Sequence, residues 1–233
     1  MTNCLTQGRF VIQGSSITLV TAATDGYFTL WDLTDTLKRF YTVNASSLKA
    51  IGSFEPETSP EDITCENRHD VHSNSIKAME LVLLSDTTTM IVSGGDDNSL
   101  SISLLGSALN GSLETDTHVS TISVPDAHAA SITAIKVLSH SPSKSKDGFD
   151  TARIILASAG NDHRVKIWSI TVPVSQNPGT IEAQFLQDRY SSVADISSMG
   201  LVRRTNSSQS SSEEKHATLL VGGVGIELLK IKA

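Results

Sequence analysis

Serine, histidine and aspartate, the residue types of a nucleophilic triad, occur together in one part of this 233-residue chain. His128 precedes the segment ILASAGNDHRVKIWSI, which contains Ser158 and Asp162. In a hydrolase triad, the histidine removes the serine proton while the carboxylate orients the imidazole ring. By composition alone, these three residues permit covalent acyl-transfer chemistry.

The same residue types recur in partial form elsewhere in the chain. His72 precedes Ser93 and Asp97, and Thr21 precedes Asp25 without any histidine upstream. A single active site would not repeat its residues in this way. The recurrence therefore favours a structural role for each set over a catalytic one.

Other candidates for bound groups have weaker support in the sequence. The segments SGGDDN and VGGVG lack both the lysine-bearing P-loop pattern and a G-x-G-x-x-G that opens a helix, so we interpret them as turns. Asp96 and Asp97 lack the ligand spacing of a divalent-cation loop. The only cysteines, Cys4 and Cys65, are too few for a disulfide framework or a zinc site. We expect no cofactor and no metal.

An internal repeat accounts for the recurrence. In two copies, a tryptophan lies six positions after the aspartate. The aligned hydroxyl, aspartate and tryptophan residues are Thr21, Asp25 and Trp31 in one copy and Ser158, Asp162 and Trp168 in the other. A third copy, with His72, has Ser103 at the tryptophan position. In a fourth, Val221 and Gly225 replace the hydroxyl and the aspartate, and Asp195 replaces the histidine.

The segments between these residues alternate apolar and polar side chains with a period of two, which predicts β-strands. The tripeptides TDG and GND and the segment GDDN supply turn residues, and long helical periodicity is absent. The predicted fold is all-β. The four repeat cores lie near residues 10–33, 72–105, 128–170 and 193–231, and serine-rich loops are predicted at 139–152 and 205–216.

The ends of two repeats, LWDL and IWSI, each preceded by the turn aspartate, resemble the WD repeat, which builds four-stranded blades of a β-propeller. The resemblance implies a hydrogen-bonded tetrad of histidine, hydroxyl, aspartate and tryptophan in each blade. The implied sets are His128, Ser158, Asp162 and Trp168, complete; Thr21, Asp25 and Trp31, without histidine; and His72, Ser93 and Asp97, without tryptophan. Such a network suits a buried carboxylate, which has to be hydrogen-bonded, and an indole N–H, which can only donate.

Four recognisable blades lie at the lower limit for a closed propeller. An open arc would leave a blade unpaired at each end. We therefore expect the chain to be the C-terminal portion of a larger propeller protein.

The order of six segments resembles the C-terminal end of the WD repeat-containing protein six family. The segments are VHSNSIKAMEL, VSGGDDNSLSISLL, PDAHAASITAIKVLS, ASAGNDHRVKIWSI, SSVADISSM and LLVGGVGIELLKI. This resemblance implies a non-catalytic cytoplasmic subunit. Its implied partner is a tRNA ribose 2′-O-methyltransferase that modifies the wobble nucleotide of the anticodon. The alternative is a general protein-interaction scaffold, such as a ubiquitin ligase substrate receptor or a trafficking adaptor.

Charge and hydropathy limit the remaining classes. The net charge is −7, and the densest basic spots surround Arg39 and the pair Arg203 and Arg204, which we interpret as ordinary surface patches. Phosphate-backbone binding needs clustered cations, so any tRNA contact is expected through a complex. The sequence contains neither an apolar run of membrane-spanning length nor a secretory signal pattern, which favours the cytoplasm.

Overall fold

A computed structural model describes residues 3–38, 65–107, 117–144, 150–174, 180–202 and 216–232. These residues form four sheets and one helical turn at 34–38. Sheet one contains β1 (Leu5–Gln13), β2 (Ser16–Ala23), β3 (Tyr27–Asp32) and β4 (Cys65–Asp70). Sheet two contains β5 (Ile76–Ser85), β6 (Thr88–Gly95), β7 (Leu100–Ser107) and β8 (Thr117–Val124).

Sheet three contains β9 (Ile132–Lys144), β10 (Asp150–Gly160), β11 (Arg164–Pro173) and β12 (Glu182–Tyr190), and sheet four contains β13 (Ala194–Val202) and β14 (His216–Lys232). Within each sheet the strands pair antiparallel in chain order. The described residues contain no helix with the length and hydrophobicity that a membrane crossing requires.

The sheets stand side by side, with apolar cores between neighbours. The first strands β1, β5, β9 and β13 pack against one another in succession. Representative core residues are Val20, Phe28 and Ile91 between sheets one and two, Val92, Ile102 and Leu156 between sheets two and three, and Ala157, Ile167 and Leu219 between sheets three and four. This radial array confirms the prediction of an all-β propeller with about four blades.

Each sheet has two faces, because successive side chains of a strand point to opposite sides. We call the face toward the preceding sheet the leading face and the face toward the following sheet the trailing face. In sheet three, Leu156 and Trp168 lie on the leading face and pack in the core shared with sheet two. Ala157 and Ile167 lie on the trailing face and pack against sheet four.

The two ends of the array do not meet along their strands. In the described part of the chain, no strand of sheet one packs along a strand of sheet four. Sheet four also has fewer strands than the other three sheets. Its β14 pairs with β13 from Thr218 to Val224.

The predicted loop at 139–152 differs from the structure. Residues 139–144 belong to β9 and 150–152 to β10, with Ser139 opposite Ile155 and Lys144 opposite Asp150. The hairpin extends this far because Ala152 and Ile154 continue the buried face of β10. The polar serines of β9 conceal this continuation in the sequence.

The fourth repeat also differs from its prediction. The segment VGGVG was predicted as a turn, but it lies inside the continuous strand β14. The serine-rich segment 205–215 and the basic spots at Arg39, Arg203 and Arg204 lie outside the described residues.

The three aspartate turns share one backbone conformation. The residue after each aspartate has a positive φ: 85° at Gly26, 64° at Asn98 and 59° at His163. In sheets two and three the amide of this residue donates to the glycine carbonyl three positions earlier. A left-handed residue of this kind closes a three-residue hairpin loop. The repeated sequence signal is therefore a repeated turn geometry.

Gly160 precedes one of these turns at a crowded position. A Cβ atom there would lie 2.7 Å from the carbonyl oxygen of Ser131 and 3.0 Å from Nδ1 of His128. The backbone oxygen cannot move without disturbing its bond of 3.0 Å from the amide of Asn161. Only glycine lets the strand approach the preceding loop this closely.

We expect Gly160→Ala to lower the free energy of unfolding by about 2–3 kcal/mol, because the new methyl group forces this contact apart. Urea unfolding followed by circular dichroism measures the change. Gly106→Ala is the matched control, since a Cβ at that strand position meets nothing within 4 Å. Equal losses in the two variants would contradict the crowding argument.

Candidate functional site

The structure brings together all four residues of the set predicted in sheet three. His128 lies in the loop before β9, Ser158 on β10, Asp162 in the turn after it and Trp168 on β11. Nδ1 of His128 lies 3.0 Å from both carboxylate oxygens of Asp162, and Nε2 lies 2.8 Å from Oγ of Ser158. Nε1 of Trp168 donates to the same Oγ at 2.8 Å.

The direction of these bonds follows from the groups involved. The indole N–H can only donate, so the Ser158 oxygen accepts from Trp168 and its hydroxyl proton is directed to Nε2 of His128. Nδ1 then carries the proton and donates to Asp162. A neutral imidazole satisfies every bond in this chain.

Asp162 also binds backbone on both sides of the network. Its Oδ2 accepts from the amide of Ala129 at 3.0 Å, and its Oδ1 accepts from the amide of Arg164 at 3.1 Å. One carboxylate thus joins the loop before β9 to the turn between β10 and β11. The set holds the outer part of the blade to its inner strand.

Burial and hydrogen bonding move the pKa values of the two ionisable members. Burial lowers the pKa of His128 below 6.5, although Asp162 acts in the opposite direction. Burial acts to raise the pKa of Asp162, but the hydrogen bonds from His128 and from the amides of Ala129 and Arg164 outweigh it and hold that pKa below 3.8. At neutral pH the pair is a neutral imidazole beside a carboxylate.

Sheet two repeats the arrangement with a different end. Nδ1 of His72 lies 2.9 Å from Oδ1 of Asp97, and Nε2 lies 2.9 Å from Oγ of Ser93. Ser103, at the tryptophan position, instead lies 2.7 Å from the hydroxyl of Thr121 on β8. The Ser103–Thr121 bond thus joins β7 directly to the outer strand β8.

An additional serine, which the sequence analysis did not select, supports Asp97. Oγ of Ser99 donates to Asp97 at 2.8 Å and also lies 3.0 Å from Nδ1 of His72. Burial acts to raise the pKa of Asp97, but the bonds from His72 and Ser99 outweigh it, so this pKa is lowered. In the sequence, Ser99 could have been recognised by its position two residues after the turn aspartate.

Sheet one lacks the histidine and uses other donors. Nε1 of Trp31 donates to Oγ1 of Thr21 at 2.8 Å, as in sheet three. Asp25 accepts instead from the guanidinium of Arg68 on β4 and from the side-chain amide of Asn3. Arg68 also lies over the ring of Tyr27, with its Cζ 3.8 Å from the centroid.

Sheet four has a carboxylate at a different position. Oε2 of Glu227 accepts from Oγ of Ser191 at 2.8 Å and from the amide of Ser192 at 2.9 Å. These serines lie in the loop before β13, where the other sheets place histidine. The sequence analysis assigned Asp195 to that position and did not select Glu227. The sequence signal for Glu227 was a single charged residue within the otherwise apolar segment GIELL.

The triad-like order of Ser158, His128 and Asp162 does not expose a nucleophile. Ser158 is fully buried, and its oxygen accepts the indole N–H of Trp168. Ser93 in sheet two is buried in the same way. A serine nucleophile has to reach a substrate carbonyl. These hydroxyl groups are positioned to support the fold instead.

The acidic pair in sheet two is fully engaged with protein groups. Asp96 lies 3.2 Å from Nζ of Lys77 and accepts from the hydroxyl of Ser131, while Asp97 binds His72. Among the described residues, no three histidine, cysteine, aspartate or glutamate side chains are grouped as metal ligands.

Radially packed antiparallel sheets, each fastened by a carboxylate that joins a loop to a turn or strand, define a β-propeller, and the complete set in sheet three has the residues of a WD repeat. Comparison with protein families agrees: residues 118–169 match the model described as WD domain, G-beta repeat. The match contains all four members of the set in sheet three and supports the WD-repeat family. Comparison with curated proteins gives no match.

We expect Asp162→Asn to lower the free energy of unfolding by about 2 kcal/mol or more, because an amide has one acceptor oxygen for donors that now bind two. Denaturant unfolding measures the loss. Asp86→Asn, at an exposed turn, is the control and is expected to change stability by less than about 0.5 kcal/mol. A fully stable Asp162→Asn protein would contradict the structural role.

Stability is expected to fall as the pH is lowered from 7.5 to 5.5. The unfolded chain takes up a proton on His128 near pH 6.5, whereas the folded chain, with its lowered pKa, does not, so acid favours unfolding. Asp162 stays ionised in this range and loses its contribution only as the pH falls to its lowered pKa.

Unfolding curves at the two pH values measure this loss. His128→Asn should reduce the difference between them, while the exposed His140→Asn should leave it unchanged. Some pH dependence should persist in the His128 variant, because burial also lowers the pKa of His69. Equal pH dependence in wild type and His128→Asn would show that this residue is not the titrating group.

Proposed function

We propose that this chain is a non-catalytic scaffold subunit that partners a tRNA ribose 2′-O-methyltransferase. WD-repeat domains generally serve as interaction scaffolds, and the match at residues 118–169 supports that broader role. The methyltransferase partnership is the more specific part of the proposal.

One observation carries the scaffold role. The residues with the types needed for catalysis, His128, Ser158 and Asp162, hydrogen-bond to one another and to Trp168 inside sheet three. Ser158 has no exposed surface. These contacts give the three residues a structural role that requires no substrate. Other molecules can therefore contact the sheets only at their outer surfaces.

The methyltransferase partnership is supported by the resemblance of the C-terminal segments, above all SSVADISSM followed by LLVGGVGIELLKI. These segments form one physical unit. A Cβ at Gly223 would lie 2.5 Å from the carbonyl oxygens of both Ala194 and Asp195, and Glu227 binds Ser191 and Ser192. The paired occurrence of the two segments therefore has a structural reason.

In this proposal the enzyme partner binds the methyl donor, and tRNA is bound by the complex as a whole. The net charge of −7 argues against a large phosphate-binding surface on this chain. The proposed place of action is the cytoplasm, where mature tRNA is modified.

The partnership is tested by deleting the gene and measuring 2′-O-methylation of the wobble nucleotide by mass spectrometry of purified tRNA. Methylation should be lost on deletion and restored by the wild-type chain. A tagged chain should recover a methyltransferase from lysate. Rescue by Gly160→Ala should be weaker than rescue by Gly106→Ala, because only the former disturbs the fold.

The competing general scaffold predicts a different result. Recovery of ubiquitin ligase or coat subunits, with wobble methylation unchanged by deletion, would contradict the methyltransferase partnership. It would leave the broader scaffold role in place.

A further inference from the structure

The leading face of sheet one is apolar, and no other sheet covers it in the part of the chain that the structure describes. Phe10 and Ile12 on β1 are 61% and 63% exposed, and Leu5 is also exposed. Leu19 and Trp31, on the same face, are only partly buried. Trp168, the counterpart of Trp31 in sheet three, is 5% exposed because sheet two covers it.

Strand register shows that this face is equivalent to faces that are covered elsewhere. Phe10 pairs with Leu19 in sheet one, as Leu81 pairs with Ile91 in sheet two and Val137 with Leu156 in sheet three. The pairs in sheets two and three pack in inter-sheet cores, each against the trailing face of the preceding sheet. Sheet one has the residues of such a junction without its other half.

The trailing face of sheet four is the complementary half. Leu219 and Val221 of β14 point into the core with sheet three, so the alternate residues point away from it. The exposed residues on that side are Leu220, Val224, Ile226 and Leu228. Leu228 is 62% exposed, whereas Val165, which aligns with it in the sequence repeat, is fully buried against sheet four.

Both faces have few charges. The outward positions of β1, β2 and β3, which include Gly8, Ile17 and Thr29, carry no ionised side chain. Arg68 of β4 lies on the same side and is paired with Asp25. On the trailing face of sheet four, the exposed Lys230 lies on the same side as Leu228. Faces that are largely apolar, with so few charges, fit another apolar sheet better than a nucleic acid or a polar peptide.

We propose that two copies of this chain assemble head to tail, with the trailing face of sheet four in each copy packed on the leading face of sheet one in the other. The three junctions within the chain already use trailing-on-leading packing. Two arcs of four sheets give a closed ring of about eight, which lies within the range of known propellers. The ring has a two-fold axis and two identical junctions. It does not depend on the proposed methyltransferase partnership.

Sedimentation equilibrium of the full chain at micromolar concentration tests the assembly. The expected mass is about twice the 24.8 kDa of one chain. Phe10→Asp and Ile226→Asp should each raise the dissociation constant about a hundredfold or more, because each places an unpaired carboxylate in both junctions. Leu186→Asp, at an exposed apolar position on the outer strand β12, is the matched control and should remain dimeric.

A mixture of the two face variants tests the head-to-tail geometry. Phe10→Asp retains a normal trailing face and Ile226→Asp a normal leading face, so the mixture has one intact junction. It should form a heterodimer that neither variant forms alone. Circular dichroism of each variant should match the wild type, which shows that loss of assembly is not loss of folding.

Fluorescence reports burial of the sheet-one face directly. Trp31 should be shielded from acrylamide in the wild-type dimer and accessible in Phe10→Asp, while Trp168 stays shielded in both. Four results would overturn the proposal: a wild-type monomer at tens of micromolar, as expected if further sheets of the same polypeptide or another protein cover the faces; open-ended larger assemblies; a folded face variant that stays dimeric; or no complementation in the mixture.

Discussion

One carboxylate per sheet holds this fold together by joining parts of the chain that are far apart in sequence. In sheets two and three, Asp97 and Asp162 bind a histidine 25 and 34 residues earlier. Each bond is strongest when the carboxylate is ionised and the imidazole directs a protonated Nδ1 to it, so burial, tautomer and turn geometry have to agree. The strand pairing fixes each sheet, whereas this bond fixes where the sheet sits relative to the loop that leads into it.

The variation among the four sheets shows which part of the arrangement is required. The histidine is replaced by Arg68 and Asn3 in sheet one, and the aspartate by Glu227 in sheet four. What persists is an acceptor that satisfies donors from separate parts of the blade. Because buried donors and acceptors have to be paired, a sheet can exchange the partners but cannot omit the bond.

The repeated pattern of turn aspartate and tryptophan allowed the sheets and the members of two networks to be predicted, because those residues recur at near-constant spacing. Arg68 and Glu227 could not be predicted in this way. Arg68 is 43 residues from Asp25, with a long connection between them, and a guanidinium on an outer strand carries no periodic signal. The long β9–β10 hairpin was also missed, since serine suits both an exposed strand and a loop.

The fourth sheet differs from the others in how it ends. Among the described residues, sheet four lacks the outer strand that β4, β8 and β12 supply in the other three sheets. β14 is an end strand of that sheet, so backbone N–H and C=O groups lie along its edge, at right angles to the apolar side chains on its face. An edge accepts almost any extended segment, because backbone bonding ignores side-chain identity, whereas a face selects for shape. A single strand therefore offers two forms of recognition, one permissive and one selective, that different molecules can occupy at the same time.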